Sequence, residues 1–159
     1  MQIRNATYKD ITAISVMLNG LYQLHEDNLP QDFKSPKDII QDVNLHRYID
    51  DDDKVAIVAC HDESMASSEI IGIILGEIWQ RQSLTLKPRA IAIIMDIAVA
   101  EHYQSQGIGK KLYYAFEQQM KSLNAEEVMV EIYDFNKKAI TFYQGCGIKP
   151  YIQVGVKKL

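Results

Sequence analysis

A short glycine-bearing loop carries the residues best suited to hold an anion. It reads AEHYQSQGIGK, with Gly107 and Gly109 two positions apart and Lys110 and Lys111 directly after them. A helix that begins there exposes unpaired N–H groups and a partial positive charge, and glycine lets that backbone approach a phosphate closely. The loop therefore predicts a phosphate or diphosphate site, although a tight strand-to-helix connection without a ligand uses the same residues.

A single carboxylate, Asp96, interrupts a long apolar run just before this loop. If that strand is regular, Asp96 shares a face with Ala92, Ile94 and Ala98. Because burial of an unpaired carboxylate is costly, its position indicates either a cationic ligand or a structural partner, such as a backbone amide or an arginine at a strand bulge. Glu77, in the preceding apolar run, is a second candidate base unless it is simply an exposed strand residue.

The elements that must position these groups alternate along the chain. Apolar, β-branched runs predict strands at 2–4, 54–60, 69–79, 90–99, 126–133 and 148–156, with a polar turn at 61–68. Apolar residues at helical spacing predict helices after the capping residues Thr7 and Ser35, after the glycine loop, and over 136–144. The pattern indicates one mixed α/β domain over residues 1–159, with a sheet flanked by helices.

Composition excludes several classes of protein. The chain has 159 residues, of which 47% are hydrophobic, enough for one buried core, and its net charge of −4 disfavours nucleic-acid binding. The longest apolar run is too short to span a membrane, and the N-terminus lacks the apolar core of a secretory signal, so we expect a cytoplasmic protein. Cys60 and Cys146 are far apart, which predicts neither a disulfide framework nor a metal site.

Two motifs together resemble one family. The loop fits neither standard nucleotide fingerprint, but QSQGIG at 104–109 resembles the Q/R-x-x-G-x-G/A signature of the GNAT superfamily of acetyl-CoA-dependent N-acetyltransferases. NKKAITFY at 136–143 is similar to the N-x-x-A-x-x-F-Y segment of that family. The resemblance implies an α/β (α+β) fold with a mixed, mostly antiparallel central sheet, and acetyl-CoA as cosubstrate with no metal.

The resemblance also implies roles at the matching positions. Backbone amides of the loop would hold the pyrophosphate, namely those of Gln104, Ser105, Gln106, Gly107, Ile108, Gly109 and Lys110. Backbone groups of Ile97, Ala98 and Val99 would pair with the pantetheine arm as if it were another strand. Asn136 would bond to the cofactor, and Tyr143 would protonate the departing thiolate, although a tyrosine on a short helix is otherwise an ordinary packing residue.

Attack of an amine on a thioester needs a base and benefits from an acid. The match is closest to diamine and polyamine acetyltransferases, which carry an acidic residue three positions before the strand-closing valine, as Asp96 stands before Val99. Asp96 is therefore the candidate base and acceptor ligand. The superfamily commonly builds its acceptor site around the connection of the first two helices, which adds Tyr22 and Glu26, together with Glu77, as candidate acceptor-binding residues. Acidic side chains in this region would attract a cationic amine, or else form a solvated loop.

The sequence thus predicts an N-acetyltransferase that transfers acetyl from acetyl-CoA directly to a primary amine of a small cationic acceptor. A protein N-terminal or lysine acetyltransferase and a non-catalytic acyl-CoA-binding sensor of the same fold are the alternatives. No nucleic acid or membrane is expected as a partner. Dimers are common in the superfamily, so the closing strand at 148–156 is a candidate contact in a homodimer.

Overall fold

One twisted sheet organises the chain. The structure, a computed structural model, describes residues 1–61 and 69–159. Within them the sheet has five strands in the order β1 (Gln2–Asn5), β2 (Lys54–Cys60), β3 (Ile70–Arg81), β4 (Arg89–Val99) and β5 (Glu127–Val130). The pairs β1–β2, β2–β3 and β3–β4 are antiparallel, whereas β5 runs parallel to β4. The mixed, mostly antiparallel sheet is confirmed, and the polar turn predicted at 61–68 lies outside the described residues from position 62 onward.

Five α-helices flank this sheet in the described part of the chain. They are α1 (Ile11–Asn28), α2 (Pro36–Asp42), α3 (Arg47–Asp50), α4 (Ile108–Ser122) and α5 (Lys137–Gln144). A 3₁₀ turn leads into α1, and there the N–H and hydroxyl of Thr7 donate to an Asp10 carboxylate oxygen at 2.8 and 2.9 Å. The Arg4 guanidinium donates to both oxygens of the same carboxylate at 2.7 and 2.9 Å and holds its pKa down at about 2. These bonds fix α1 to the first strand.

The two faces of the sheet are covered by different helices. On one face α4 buries Leu112, Phe116 and Met120 completely, as its three- and four-residue spacing predicts. On the other face α1 buries Ile14 and Leu18. The sheet is therefore enclosed between α1 and α4, and its ends carry the loops. No helix in the described residues has both the length and the apolar character needed to cross a membrane.

Two predicted strands differ from the structure. The strand expected at 126–133 is confined to β5, and the closing strand expected at 148–156 does not form. Alternating apolar residues favour a strand locally, but a strand needs a partner edge to satisfy its backbone. In this structure the segment lies exposed, with Ile152, Val154 and Val156 largely open to solvent. The homodimer contact suggested for this segment thus stays a prediction, and the segment does not form the strand that was expected to make it.

Candidate active site

A β-bulge in β4 decides where Asp96 points. Leu75 of β3 pairs with Asp96, but the next residue, Gly76, pairs with Ile94, so Met95 is the extra residue. The expectation of a regular strand, with Asp96 on the same face as Ala92 and Ile94, is therefore wrong. Both of those residues pack in the core under α4, whereas Asp96 faces the α1 side opposite Leu75. The extra residue reverses the inward and outward alternation beyond it.

The bulge also lies where β4 and β5 separate. Their parallel pairing runs from Ile91 with Glu127 to Ile94 with Val130, and β5 ends there. Beyond Ile94 the outer edge of β4 has no strand beside it in the described residues, although its inner edge stays paired with β3 up to Val99. An extended ligand can pair with such an edge in the manner of an added strand. The open edge includes the three residues assigned to pantetheine contact, Ile97, Ala98 and Val99.

The glycine loop presents backbone N–H groups at the end of this open edge. Gly107 caps α4 in the left-handed conformation, with φ of 79°, and Ser105 has φ of 61°. The first helical bond of α4 is donated by the Lys111 N–H to the Gly107 carbonyl at 3.2 Å. The N–H groups of Ile108, Gly109 and Lys110 precede that bond, so by helix geometry they have no acceptor within the helix. The site therefore fits an anionic diphosphate, as the sequence predicts.

Two side chains of this loop fold back onto the backbone. Gln104 donates through Nε2 to the Val99 carbonyl at 3.0 Å, and Gln106 donates to the His102 carbonyl at 3.1 Å. The Val99 carbonyl at the open edge therefore already accepts one hydrogen bond, from the Gln104 side chain. The Lys110 side chain lies toward α5, where its charge lowers the pKa of Cys146 against the stronger effect of burial, which raises it. Lys110 is the loop cation nearest to that helix.

Tyr143 approaches the same place from the α4 side of the sheet. Its ring is buried, with 4% of the residue exposed, in the core against which Ile97 and Val99 pack. Burial raises the pKa of Tyr143 above its ordinary value, and the charges of Cys146 and Asp96 raise it further. The phenol is therefore protonated at neutral pH and can act as a proton donor.

The hydroxyl of Tyr143 is accessible although its ring is not. Among the described residues, no buried side-chain nitrogen or oxygen lacks a hydrogen-bond partner, and the Tyr143 hydroxyl makes no hydrogen bond there. The hydroxyl must accordingly keep some contact with solvent. Such a group can meet a ligand without first breaking a bond within the protein.

Asp96 is held from the opposite side by α1. Tyr22 donates its hydroxyl to Asp96 Oδ2 at 2.9 Å. Burial raises the pKa of Asp96, while the Tyr22 hydrogen bond and the nearby charge of His25 oppose that rise. Burial and the Asp96 charge together raise the pKa of Tyr22, so it remains a neutral donor. Of the two alternatives for Asp96, the structure gives it a specific partner, but that partner is a phenol rather than a backbone amide or an arginine.

The other two residues predicted to contact the acceptor make hydrogen bonds or ion pairs with residues outside this pair. Glu77 forms an ion pair with Lys54, which faces it across the β2–β3 pairing, so its carboxylate is already partnered. Glu26 follows Tyr22 by four residues on α1, which places it on the same side of the helix, and accepts from Gln23 Nε2 at 3.2 Å. The structure therefore brings Tyr22 and Asp96 together and leaves Glu77 in a different contact.

Asn136 has a structural contact of its own. Its Oδ1 accepts from the Ala139 N–H at 3.0 Å and caps α5. The amide nitrogen of Asn136 is the part of the side chain that could contact a cofactor. Because α5 carries Tyr143, the cap also fixes the helix that presents the phenol.

Sequence reasoning missed a cluster of aromatic rings beside Tyr22, since it gave no role to any histidine. The His25 ring lies 5.0 Å from Phe33, 5.9 Å from Tyr133 and 5.5 Å from Phe135, measured between centroids. Phe33 and Tyr133 are 4.9 Å apart. The one signal available in the sequence was the three-residue spacing of Tyr22 and His25, which places both on one face of α1.

Over the described ranges, no group of three or more His, Cys, Asp or Glu side chains could hold a metal ion.

Comparison with known proteins identifies relatives of this chain. A curated N-alpha-acetyltransferase from Sulfurisphaera tokodaii is 36% identical over 85 residues, which are 51% of this chain and 51% of that protein. The match thus spans about half the length of the curated relative.

Solved structures of the same fold cover the whole chain. The tetramutant of the BH1408 protein from Bacillus halodurans has a TM-score of 0.85 at 22% identity and covers 100% of both chains. AAC(6')-Iy in complex with the bisubstrate analog CoA-S-monomethyl-acetylneamine has a TM-score of 0.72 at 14% identity, over 99% of this chain and 97% of that one. At these identities the similarity concerns the fold alone.

The family assignment depends on a broader match. The sequence model described as the acetyltransferase (GNAT) family matches residues 18–148, which include the open edge of β4, the glycine loop and Tyr143. That range is well over half of the 159 residues. The chain belongs to the acetyltransferase (GNAT) family.

Proposed function

We propose that the chain transfers the acetyl group of acetyl-CoA directly to a primary amine of a small cationic molecule. The observation that carries the proposal is the open outer edge of β4, which has the exposed N–H groups of α4 at its end, Tyr143 on one face and Asp96 on the other. Family membership and a similar fold bound to a CoA-containing analog support acetyl-CoA as the donor.

Each part of the site has a task in this proposal. The N–H groups of Ile108, Gly109 and Lys110 would hold the pyrophosphate, and backbone groups of Ile97 to Val99 would align the pantetheine arm. Bound acetyl-CoA supplies a thioester whose carbonyl carbon accepts a nucleophile. Asp96, ionised, would take a proton from the acceptor ammonium, directly or through water, so that the amine nitrogen can form the new C–N bond. As the C–S bond breaks, the Tyr143 hydroxyl would protonate the departing sulfur, and the proton that the acetylated nitrogen then releases would restore the phenol through water.

The acceptor class follows from charge. The α1 segment beside Asp96 carries Glu26 and Asp27, and the connection that follows carries Asp32. A negative surface raises the local concentration of a cationic substrate and repels an anionic one. Proteins of similar fold include aminoglycoside N-acetyltransferases, which supports an amine acceptor without fixing which one.

A protein N-terminus is the second candidate acceptor. The observation in its favour is the 36% identity to an N-alpha-acetyltransferase over about half of the chain. The two candidates differ in what surrounds the reactive amine, because a peptide continues as a backbone whereas a polyamine carries further cationic groups.

The test is release of free thiol from acetyl-CoA in the presence of polyamines, aminoglycosides, amino acids or N-terminal peptides, with acetyl-CoA binding measured by calorimetry. Turnover with one amine class establishes the enzyme and names the acceptor. Tight binding of acetyl-CoA without turnover on any amine would indicate the non-catalytic sensor instead. Absence of binding would contradict the assignment of the loop.

Tyr143→Phe tests the acid. Loss of a positioned proton donor lowers kcat by about 100-fold or more. The unfolding free energy is expected to change by less than about 0.5 kcal/mol, because the ring remains and the hydroxyl has no partner among the described residues. Tyr114→Phe, which alters an exposed tyrosine on α4, is the matched control. An unchanged kcat in Tyr143→Phe would remove Tyr143 from the mechanism.

A further inference from the structure

The aromatic cluster of His25, Phe33, Tyr133 and Phe135 joins three separate stretches of chain. His25 belongs to α1, Phe33 to the connection before α2, and the other two rings to the stretch that follows β5. His25 contacts all three other rings, and Tyr133 also contacts Phe33 and Phe135. The cluster therefore lines the place where the acceptor side of α1 faces the end of β5.

These rings are not a closed core. None of the four is fully buried, and Tyr133 is 46% exposed. The His25 ring is fixed by a hydrogen bond in which Nδ1 donates to the Leu21 carbonyl at 2.9 Å, since a carbonyl oxygen can only accept. The cluster thus presents oriented aromatic surfaces to solvent. Rings that served only for packing would be covered by other side chains.

Carboxylates flank the residues of the cluster in the sequence. The stretches 22–33 and 131–135 contain five acidic residues and no lysine or arginine, although Lys34 adjoins the first and the Lys137 Nζ lies 2.6 Å from Asp134 Oδ1. These acidic residues are Glu26, Asp27, Asp32, Glu131 and Asp134. The faces of aromatic rings attract cations, and the attraction grows where the local field is already negative and water is partly excluded. Aromatic rings set among carboxylates are a binding surface for an ammonium group.

An ammonium group of the chain itself lies at the edge of this surface. The Lys158 Nζ is 3.3 Å from Asp32 Oδ1 and 3.2 Å from Gln31 Oε1. Lys158 belongs to the exposed C-terminal tail, far along the chain from α1. Its position shows that a flexible alkylammonium can reach the carboxylate next to Phe33.

The cluster and the reactive carboxylate are both in contact with α1. Tyr22, which holds Asp96, and His25 are three residues apart on α1, so about 4.5 Å separates them along the helix axis. His25 is also near enough to Asp96 to influence the ionisation of that carboxylate. A molecule with one amine at Asp96 can therefore place a second group on the rings if an alkyl chain of suitable length separates the two.

We infer that this aromatic cluster is a subsite for a second ammonium group, and that the acceptor is a diamine or a longer polyamine. The inference rests on the proposed function, because it requires the first amine to react near Asp96. The rings would select against monoamines of the same length, which cannot place a charge on them. This subsite separates a polyamine from a peptide N-terminus as the acceptor.

The test compares two amines of equal length, α,ω-diaminooctane and octylamine, in the thiol-release assay. Wild type is expected to show a kcat/KM about 5-fold or more higher for the diamine, expressed mainly in KM. Tyr133→Leu, which keeps an apolar side chain but removes the ring, should abolish most of that preference by lowering kcat/KM for the diamine far more than for octylamine. Tyr133→Phe keeps the ring and should retain the preference, and Tyr114→Leu, an exposed tyrosine on α4, should behave as wild type.

The outcomes separate this inference from the proposed function. Equal rates for both amines in wild type, or an equal loss for both in Tyr133→Leu, would overturn the subsite while the acetyltransferase assignment stands. If no amine is turned over, the proposed function fails, and calorimetric titration of diaminooctane into wild type and Tyr133→Leu still decides the subsite. Weaker binding by the variant supports it, and equal or absent binding overturns it.

Discussion

Tyr22→Phe isolates the hydrogen bond that holds the candidate base. The substitution removes the hydroxyl that lies 2.9 Å from Asp96 Oδ2 and leaves the ring in place. Hydrogen bonds to charged groups contribute about 1.5–3 kcal/mol, and those between neutral groups about 0.5–1.5 kcal/mol. At a pH where Asp96 is ionised, we expect the variant to lose about 1.5–3 kcal/mol of unfolding free energy.

The pH dependence of that loss has a definite sign. The Tyr22 bond lowers the pKa of Asp96 against the stronger effect of burial, so it stabilises the ionised carboxylate. Its contribution is therefore present when Asp96 is ionised and declines as the pH falls and the carboxyl is protonated. Without the hydroxyl the pKa of Asp96 rises further, so the acid limb of the pH profile of kcat/KM should move to higher pH.

Urea denaturation at neutral and acidic pH measures the effect in a double-mutant cycle of Tyr22→Phe with Asp96→Asn. We expect a coupling energy of about 1 kcal/mol or more at neutral pH that becomes smaller in acid. Tyr48→Phe is the matched control, because Tyr48 is also half-buried near Asp96 but makes no hydrogen bond to it in the described structure. An equal loss at both pH values, or a coupling near zero, would refute the reasoning.

Three further changes test other parts of the molecule. Asp96→Asn should reduce turnover most at neutral pH and less at high pH, where free amine is plentiful. It should not lower the unfolding free energy, because burial disfavours the charge that the substitution removes. An unchanged pH profile would exclude Asp96 as the base. Gly76→Ala places a Cβ 2.4 Å from the Ile93 carbonyl oxygen, so thermal unfolding should show a loss of at least about 1–3 kcal/mol, and a wild-type Tm would contradict the packing. Asp10→Asn should destabilise the protein at neutral pH and much less near pH 2. The Arg4 pair holds the pKa of Asp10 at about 2, so the stability that the ionised carboxylate contributes is lost as the pH falls through that value. Urea denaturation at both pH values measures this, and an equal loss of unfolding free energy at the two would contradict it.

The parts of the fold that local patterns determine were predictable. The apolar spacing of α4 and the glycines before it indicate a helix that begins at the loop, and the structure has α4 over Ile108–Ser122. The serine and threonine caps likewise precede helical turns where the sequence places them. In each case the signal and the structure involve residues within one or two turns of each other.

The parts that depend on distant partners were not predictable. Every residue around Met95 is apolar except Asp96, so the sequence carries no sign of which residue bulges; the offset appears only in the pairing with β3. The segment 148–156 alternates as a strand does, but whether it pairs depends on an edge elsewhere in the chain. The aromatic cluster could not be predicted either, because the fold brings its rings together from α1 and from the stretch after β5.

The bulge at Met95 explains how one short stretch of β4 can direct neighbouring side chains toward a candidate base site on one face of the sheet and a candidate acid site on the other. After the extra residue, Asp96 faces α1 and its hydrogen-bonding tyrosine, while Ile97 turns toward the core that contains Tyr143. If the two side chains act as proposed, each would act on a different side of a substrate aligned along the open edge of β4, so that Asp96 would meet the incoming amine and Tyr143 the departing sulfur.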